Sequence, residues 1–213
     1  MRAANRDRRG PALVALCLAL VVLAGPVQAV TAEYRVGSNG TVYNARIEVV
    51  EAEKYAFQET GPLGERVPLE VTNVSLEGEC SPCTFSWTGK SGILGVTNDT
   101  ITFAKGNYTV LFEGQVQDNH LLFTYEQPYR VEILLPEGLR TSNFLLGFVS
   151  PGGNVNATGN ETLISWNNTR SAEVRFYDSG REELLYLFGN FWIIIAVLLL
   201  LPFMLTRRRR GKG

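Results

Sequence analysis

LLYLFGNFWIIIAVLLLLPFML, residues 184–205, is a run of 22 residues without a charged side chain. An α-helix rises about 1.5 Å per residue, so this run spans about 33 Å, and the hydrocarbon core of a bilayer is about 30 Å thick. Its aromatic residues cluster at the N-terminal end, and such amphipathic rings are typical of the headgroup level of a membrane. The run therefore predicts one transmembrane helix close to the C-terminus.

The charges around this helix predict its orientation. Residues 206–213 carry four arginines and one lysine, whereas residues 30–205 hold 11 basic and 20 acidic residues, a net charge of −9. By the positive-inside rule the basic tail stays in the cytoplasm, which places the preceding domain outside the cell membrane. The lipid bilayer is thus an expected partner. Nucleic acid is not, because an acidic domain lacks the basic surface that binds phosphates.

The first 29 residues have the composition of a secretory signal peptide. Arginines precede an apolar run over residues 11–24, and Val27 and Ala29 place small side chains at the −3 and −1 positions of a cleavage site. We expect cleavage after Ala29, which leaves a single-pass protein with its N-terminal domain outside. The alternative is an uncleaved anchor, but an apolar run of this length is short for a membrane span.

Residues 30–177 have the pattern of a β-rich domain. Apolar and polar residues alternate between Tyr43 and Val49, which is the signature of a strand with one buried face. Turn-forming Gly, Pro and Asn residues separate this run from others like it. The predicted fold class is therefore all-β: an antiparallel β-sandwich of immunoglobulin-like build, followed by a linker at 178–183 and the transmembrane helix.

Three stretches of this domain lead to local predictions or to an alternative. Residues 45–59 are rich in Glu and Ala, so a helix is an alternative to a strand there. Residues 104–107, with sequence AKGN, predict a hairpin turn between two strands. Residues 144–149, FLLGFV, are apolar and predict a buried strand that ends in a turn.

Seven asparagines have Ser or Thr two positions later, as N-glycosylation requires. They are Asn39, Asn73, Asn98, Asn107, Asn156, Asn160 and Asn167. These sequons predict a glycosylated surface outside the membrane. The alternative explanation is that Asn- and Thr-rich β-turns produce the pattern by composition alone.

Cys80 and Cys83 are the two cysteines outside the signal peptide. Disulfides persist in exported domains, so we expect a short structural bridge that fixes a turn. One alternative is a redox-active C-x-x-C pair, which requires a helix N-terminus to lower a thiol pKa. A second is half of a metal site, for which no further cysteine is available.

No catalytic, cofactor-binding or metal-ligating residue is predicted. His120 is the single histidine, so a Ser-His-Asp triad would have to use it, and it lies in a turn-like stretch after Asp118 and Asn119. A turn histidine is more often solvated than catalytic. Neighbouring carboxylates such as Glu48 and Glu51 are typical of a solvated acidic face.

The second half of the chain resembles a known family from Tyr129 onward. The segments YRVEILLPEG, LLGFVSPGG, ISW (164–166) and AEVRFYDSGREELLYLFG, followed by one anchor, are similar to a family of uncharacterised archaeal single-pass membrane-anchored surface proteins with a domain of unknown function. The resemblance implies an archaeal cell-surface setting. It carries over no functional residue, and Cys80 and Cys83 lie outside the similar part.

These observations favour a non-enzymatic surface module over an enzyme. The hypothesis is a membrane-anchored β-sandwich that binds an unknown protein or cell-envelope partner, or serves as a subunit of a membrane complex. The alternative from another functional class is an extracytoplasmic thiol-disulfide or metal-handling protein that uses Cys80 and Cys83. No cofactor is expected for the first hypothesis.

Overall fold

The computed structural model of the chain describes most of the predicted exported domain and the C-terminal helix. The described residues are 30–61, 64–80, 83–92 and 95–210, with the side chains of 89–92, 95–98 and 202–210 not described. The predicted signal peptide and the last three residues of the predicted cytoplasmic tail lie outside the described residues.

The described residues form eleven strands and one helix. The strands are β1 (Thr31–Val36), β2 (Val42–Ala56), β3 (Gln58–Thr60), β4 (Arg66–Pro68), β5 (Val71–Gly78), β6 (Ser86–Gly92), β7 (Gly95–Gln115), β8 (His120–Pro136), β9 (Phe148–Val149), β10 (Asn154–Thr158) and β11 (Glu161–Arg175), and the helix is α1 (Ser179–Arg210). The predicted β-rich domain is confirmed. The alternative helix at residues 45–59 is not formed, since these residues belong to β2 and β3.

Nine strands form one mixed sheet in the order β10-β11-β8-β1-β2-β7-β5, with β6 paired to β7 and β9 paired to β11. Strand β1 is antiparallel to β2 but parallel to β8. The prediction of an exclusively antiparallel domain is therefore wrong. A parallel pair needs a long connection, and here the chain from β2 to β7 supplies it. The immunoglobulin-like build stays a prediction.

The long strands β2, β7, β8 and β11 bend. The β2–β7 ladder changes register between residues 49 and 54, and the β8–β11 ladder changes register between residues 166 and 171. Glu51 and Asn168, inside these two irregularities, have φ angles of 53° and 57°. Such bulges bend a strand and increase its twist. Each long strand therefore has two portions that run in different directions.

Aromatic side chains pack between these portions. The ring of Tyr34 in β1 stacks on Phe123 at a centroid distance of 3.7 Å, although β1 pairs with β8 only from Arg130 onward. In the same way Phe112 of β7 contacts Phe57, beyond the end of β2, at 5.1 Å. The two portions of each bent strand thus lie on opposite sides of a buried aromatic core. This arrangement resembles the two layers of a sandwich.

Two local predictions are wrong. Residues 104–107 do not form a hairpin turn, because β7 continues through them and Gly106 pairs with Ala52 of β2. Residues 144–149 do not form a buried strand. Residues 144–146 form an exposed turn, and only Phe148 and Val149 belong to a strand.

Helix α1 begins at Ser179, directly after the sheet domain. Asp178 caps it, because its Oδ1 accepts a hydrogen bond of 2.8 Å from the backbone N–H of Arg181. Most of the segment 178–183, predicted as a linker, is thus the first part of the helix. Within the described residues α1 is the one helix long and apolar enough to cross a membrane: its candidate span is Ser179–Leu201, and an 18-residue window within that span has a mean hydropathy of 2.5.

Candidate functional site

A cavity of about 610 Å³ opens between the second portion of β2, which follows Val49, and the first portion of β8, which precedes Tyr129. Its volume lies in the range of about 300–1,000 Å³ that is typical of ligand pockets. The apolar and aromatic residues of its wall are Tyr34, Val49, Val50, Ala52, Tyr55, Ala56, Phe57, Leu69, Phe112, Phe123, Tyr125 and Tyr129. We call this cavity the aromatic cleft.

The cleft exists because two strand edges do not meet. In the described structure β2 pairs only with β7 beyond Val49, and β8 pairs only with β11 before Tyr129. Strand β1 fills the space between β2 and β8 in the other layer, where it pairs with residues 43–47 and 130–134. The cleft therefore occupies an unfilled strand position, with an unpaired strand edge on either side.

The hairpin formed by β3 and β4 bridges the two sides of the cleft. It follows β2 directly, and its side chains bind the first portion of β8. The hydroxyl groups of Thr60 and Thr124 are hydrogen-bonded, and Nη1 of Arg66 lies 2.9 Å from Oε1 of Glu126. These contacts hold β8 opposite β2 without closing the strand position between them.

Tyrosines form the floor of the cleft. The hydroxyl of Tyr125 donates a hydrogen bond of 2.9 Å to the hydroxyl of Tyr34, and the hydroxyl of Tyr129 donates one of 3.2 Å to the carbonyl of Glu48. Burial raises the pKa of Tyr34, Tyr55 and Tyr125 well above the usual value, and the neighbouring phenols raise the pKa of Tyr34 and Tyr55 further. The floor is therefore uncharged at neutral pH and offers apolar ring faces.

The rim of the cleft is polar. Lys54, Gln58, Glu59, Arg66, Glu126 and Gln127 lie around its opening. Partial burial, and then the nearby Glu70 carboxylate, raise the pKa of Glu59. Among the described residues no group of three or more His, Cys, Asp or Glu side chains is arranged to hold a metal ion. The arrangement can bind an apolar ligand whose outer parts form hydrogen bonds or ion pairs.

The predicted glycosylation sites lie at the surface. Six of the seven acceptor asparagines are exposed, whereas the side chain of Asn98 is not described. None of these six lines the aromatic cleft. Occupancy stays a prediction.

Cys80 and Cys83 lie between β5 and β6, with their sulfur atoms at disulfide distance and their Cα atoms 4.9 Å apart. Cys83 packs against the edge of the hydrophobic core. Both flanking elements are strands, so neither supplies the helix N-terminus that lowers a thiol pKa in redox motifs. This setting suits a bridge that fixes the β5–β6 connection.

His120 is the first residue of β8 and is partly buried. Its Nε2 atom lies 3.0 Å from Oε1 of Glu173 on β11. Within the described part of the chain no serine hydroxyl is hydrogen-bonded to this imidazole. The nearby Ser150 hydroxyl instead accepts a hydrogen bond of 3.1 Å from the backbone N–H of Glu173. The structure thus brings His120 to a carboxylate that the sequence did not indicate, far along the chain.

Sequence reasoning missed the aromatic cleft. Its walls come from residues 49–57 and 123–129, which are distant in the sequence, so periodicity could not bring them together. A weak local signal was present in both segments. Tyr55 and Phe57, like Phe123 and Tyr125, are aromatic pairs at strand spacing that lie beside strongly polar residues.

Comparison with known proteins gives a family but no described activity. A search of curated proteins finds no significant match. Residues 28–209, which include the whole sheet domain and nearly all of α1, match a family of unknown function, DUF5803. The chain belongs to this family of unknown function.

Proposed function

We propose that this protein is a membrane-anchored surface module that binds a partner without catalysing a reaction, and that the aromatic cleft is its binding site. In this proposal α1 is the single membrane anchor, the sheet domain lies outside an archaeal cell membrane, and the basic C-terminus lies in the cytoplasm. The observation that carries the proposal is the unfilled strand position, which is lined by aromatic rings and flanked by unpaired strand edges.

The partner expected from this geometry is an extended segment of another protein. A strand added between β2 and β8 would hydrogen-bond to their free backbone groups, as in other cases of β-strand addition. Alternate side chains of that segment would face the rings of Tyr55, Phe57 and Phe123, which favours apolar residues at every second position. The charged residues of the rim, Lys54 and Glu126 among them, would contact its flanking residues.

Membrane topology is the first part of the proposal to test. A protease added to intact cells should digest the sheet domain and spare a fragment that contains α1 and the arginines at 207–210. The charge difference across the helix supports this orientation. Full protection of the sheet domain in intact cells, with digestion only after lysis, would reverse the orientation.

Binding can be tested with a photoreactive amino acid placed at the cleft. Benzoylphenylalanine at Gln127, on the rim, should crosslink a distinct polypeptide in intact cells. The same amino acid at Asn44, an exposed β2 position that does not line the cleft, should give no such product. Mass spectrometry of the crosslinked peptide would show whether it is an extended apolar segment.

A matched pair of substitutions then tests whether the cleft itself is responsible. Ala56 lies on β2, is exposed and lines the cleft, so Ala56→Trp should fill it and remove the crosslink at Gln127. Asn44→Trp adds the same bulk to the same strand outside the cleft and should leave the crosslink intact. A crosslink that survives Ala56→Trp, or that forms equally at Asn44, would refute the cleft as the binding site.

A further inference from the structure

We infer that the turn at residues 144–146 is a second membrane contact, inserted into the outer leaflet beside α1. This inference depends on the proposed anchoring of α1 in the membrane. We call residues 144–146 the apolar turn. Phe144 is 87% exposed and the adjacent Leu145 is 63% exposed. Scattered apolar side chains are common on protein surfaces, but two adjacent large ones at the tip of a turn are not explained by the core.

The apolar turn has a fixed backbone. The carbonyl of Asn143 accepts hydrogen bonds from the N–H groups of Leu146, at 3.2 Å, and Gly147, at 2.7 Å. The side-chain Oδ1 of Asn143 accepts a third, at 3.0 Å, from the N–H of Leu145. The turn closes tightly, since a Cβ atom at Gly147 would collide with the carbonyl oxygen of Thr141.

These hydrogen bonds matter for a membrane location. Backbone N–H groups that enter lipid must be satisfied within the protein, because the hydrocarbon offers no partner. Asn143 satisfies three consecutive N–H groups, those of residues 145–147. The turn can therefore present Phe144 and Leu145 to lipid without exposing these donors.

The apolar turn is also fastened to the beginning of α1. Arg140 and Tyr177 exchange two backbone hydrogen bonds of 2.9 Å. The Tyr177 hydroxyl accepts a hydrogen bond of 3.0 Å from the N–H of Asn143 and lies 3.2 Å from the hydroxyl of Ser142. Arg140 further pairs with Glu182 in the first part of α1 at 3.4 Å. The position of the turn relative to the helix is thus set by several contacts.

The level of the turn follows from its neighbours on the helix. Leu146 lines a recess of apolar surface together with residues of α1, which are Arg181, Leu184, Leu185, Leu187, Phe188 and Phe191. From Leu184 to Phe191 the helix rises about 10 Å, and these residues open the uncharged run. When α1 spans the bilayer, this part of it lies in the outer leaflet, so the turn beside it lies there as well. Phe and Leu side chains are of the kind that interfacial segments bury at the boundary between headgroups and acyl chains.

Spin labels attached to the full-length protein can measure this depth. Phe144→Cys and Leu145→Cys, each in a Cys17→Ser background, would carry a nitroxide in vesicles of phosphatidylcholine and phosphatidylglycerol. Collisions with oxygen, which concentrates in lipid, are compared with collisions with a water-soluble nickel chelate. Two control labels give the reference values for the lipid interior and for water. Val197→Cys lies in the middle of the apolar run. Lys105→Cys is an exposed position on β7 outside the aromatic cleft, next to the bulge of β2 and away from the turns near α1.

The expected result is a deep Val197 label, a label at 144 or 145 that is protected from nickel at a shallow depth in the lipid, and an aqueous label at Lys105. A deep Val197 label with aqueous labels at both 144 and 145 would overturn the inference and leave the anchor intact. An aqueous Val197 label would instead refute the anchoring on which the inference depends. Spin–spin broadening at 144 that grows with protein density would assign the turn to contact with a second copy of the chain, which also overturns the inference.

Discussion

The phenolic hydroxyl of Tyr125 donates a hydrogen bond of 2.9 Å to the hydroxyl of Tyr34. Tyr34 lies on β1 in one layer. Tyr125 lies on the first portion of β8, which precedes Tyr129, in the other layer. This single contact therefore joins the two layers at the floor of the aromatic cleft. It also orients two of the rings that form this floor.

The two hydroxyl groups should be energetically coupled. We expect Tyr34→Phe and Tyr125→Phe each to lower the free energy of unfolding by about 1 kcal/mol, with a coupling of at least about 0.5 kcal/mol in the double variant. Tyr34→Ala should cost about 3–5 kcal/mol, because it also removes a buried ring. Urea unfolding of the detergent-solubilised chain measures these values. Strictly additive effects of the two Phe substitutions would contradict the coupling.

Stability should fall at alkaline pH. Tyr34, Tyr43, Tyr55, Tyr125 and Tyr129 have raised pKa values in the folded protein because they are buried. In the unfolded chain tyrosines ionise near pH 10, so above that pH the folded state holds more protons than the unfolded state. The contribution of these protonated tyrosines to the free energy of unfolding is fully present below about pH 10. Above it, each tyrosine that stays protonated lowers the free energy of unfolding by about 1.4 kcal/mol per pH unit.

Two measurements check the alkaline effect. Urea unfolding at several pH values should show the decline above about pH 10, and Tyr55→Phe should make the decline less steep. In the folded protein, the ultraviolet absorbance of tyrosinate should show that only some of the tyrosines ionise. The other tyrosines should ionise only as the protein unfolds. Complete ionisation of all tyrosines in the folded state would contradict the prediction.

Removing the cysteine pair should have a small effect. The loop between Cys80 and Cys83 has a sequence separation of 3 residues, so the replacement of both cysteines by serine should lower the free energy of unfolding by about 2 kcal/mol at most. Thermal or urea unfolding of the double variant measures this. Wild-type protein that reduces a disulfide substrate, with activity lost in an equally folded double variant, would favour the redox alternative.

The exposed sequons should carry carbohydrate in the native host. Thr41→Ala removes the sequon of Asn39 while it keeps Asn39 itself, whose Oδ1 accepts a hydrogen bond of 3.1 Å from the N–H of residue 41. Intact-mass spectrometry should show the loss of one glycan. Thr72→Ala, an exposed β5 threonine outside any sequon, is the matched control. An unchanged mass beyond the substitution itself would show that Asn39 is unoccupied.

Local features of the fold were predictable from the sequence. The apolar run at 184–205 specifies a helix by composition alone, and the alternation at 43–49 specifies a strand whose apolar residues are buried. In both cases neighbouring residues carry the whole signal. Long-range pairing has no such signal, so the parallel contact between β1 and β8 could not be foreseen.

The bends explain why the sequence predicts two strands joined by a turn where the structure has the single strand β7. Gly106 and Asn107 resemble a hairpin turn in composition, but in the structure they lie where β7 passes the bulge of β2. Oδ1 of Asn107 accepts a hydrogen bond of 2.9 Å from the N–H of Glu51, at the bulge itself. A bulge and a turn need the same residue types, since both accommodate unusual φ angles and side-chain capping of the backbone.

The candidate site was not predictable for a related reason. The aromatic cleft depends on where β2 and β8 part, and that depends on the two bulges and on the length of β1. The apolar turn lies in a stretch that predicts a buried strand, because apolar residues give the same sequence signal in an exposed turn as in a core strand.

The bent strands also have a mechanical consequence. Because β2, β7, β8 and β11 each run through both layers, neither layer can detach while the other stays folded. The domain should consequently unfold as one cooperative unit, without a stable half-folded intermediate. A pulling force transmitted through α1 would load β11 first and, through its ladder with β8 on both sides of the bulge, both layers at once. A domain built in this way resists force applied at its C-terminal helix as a whole.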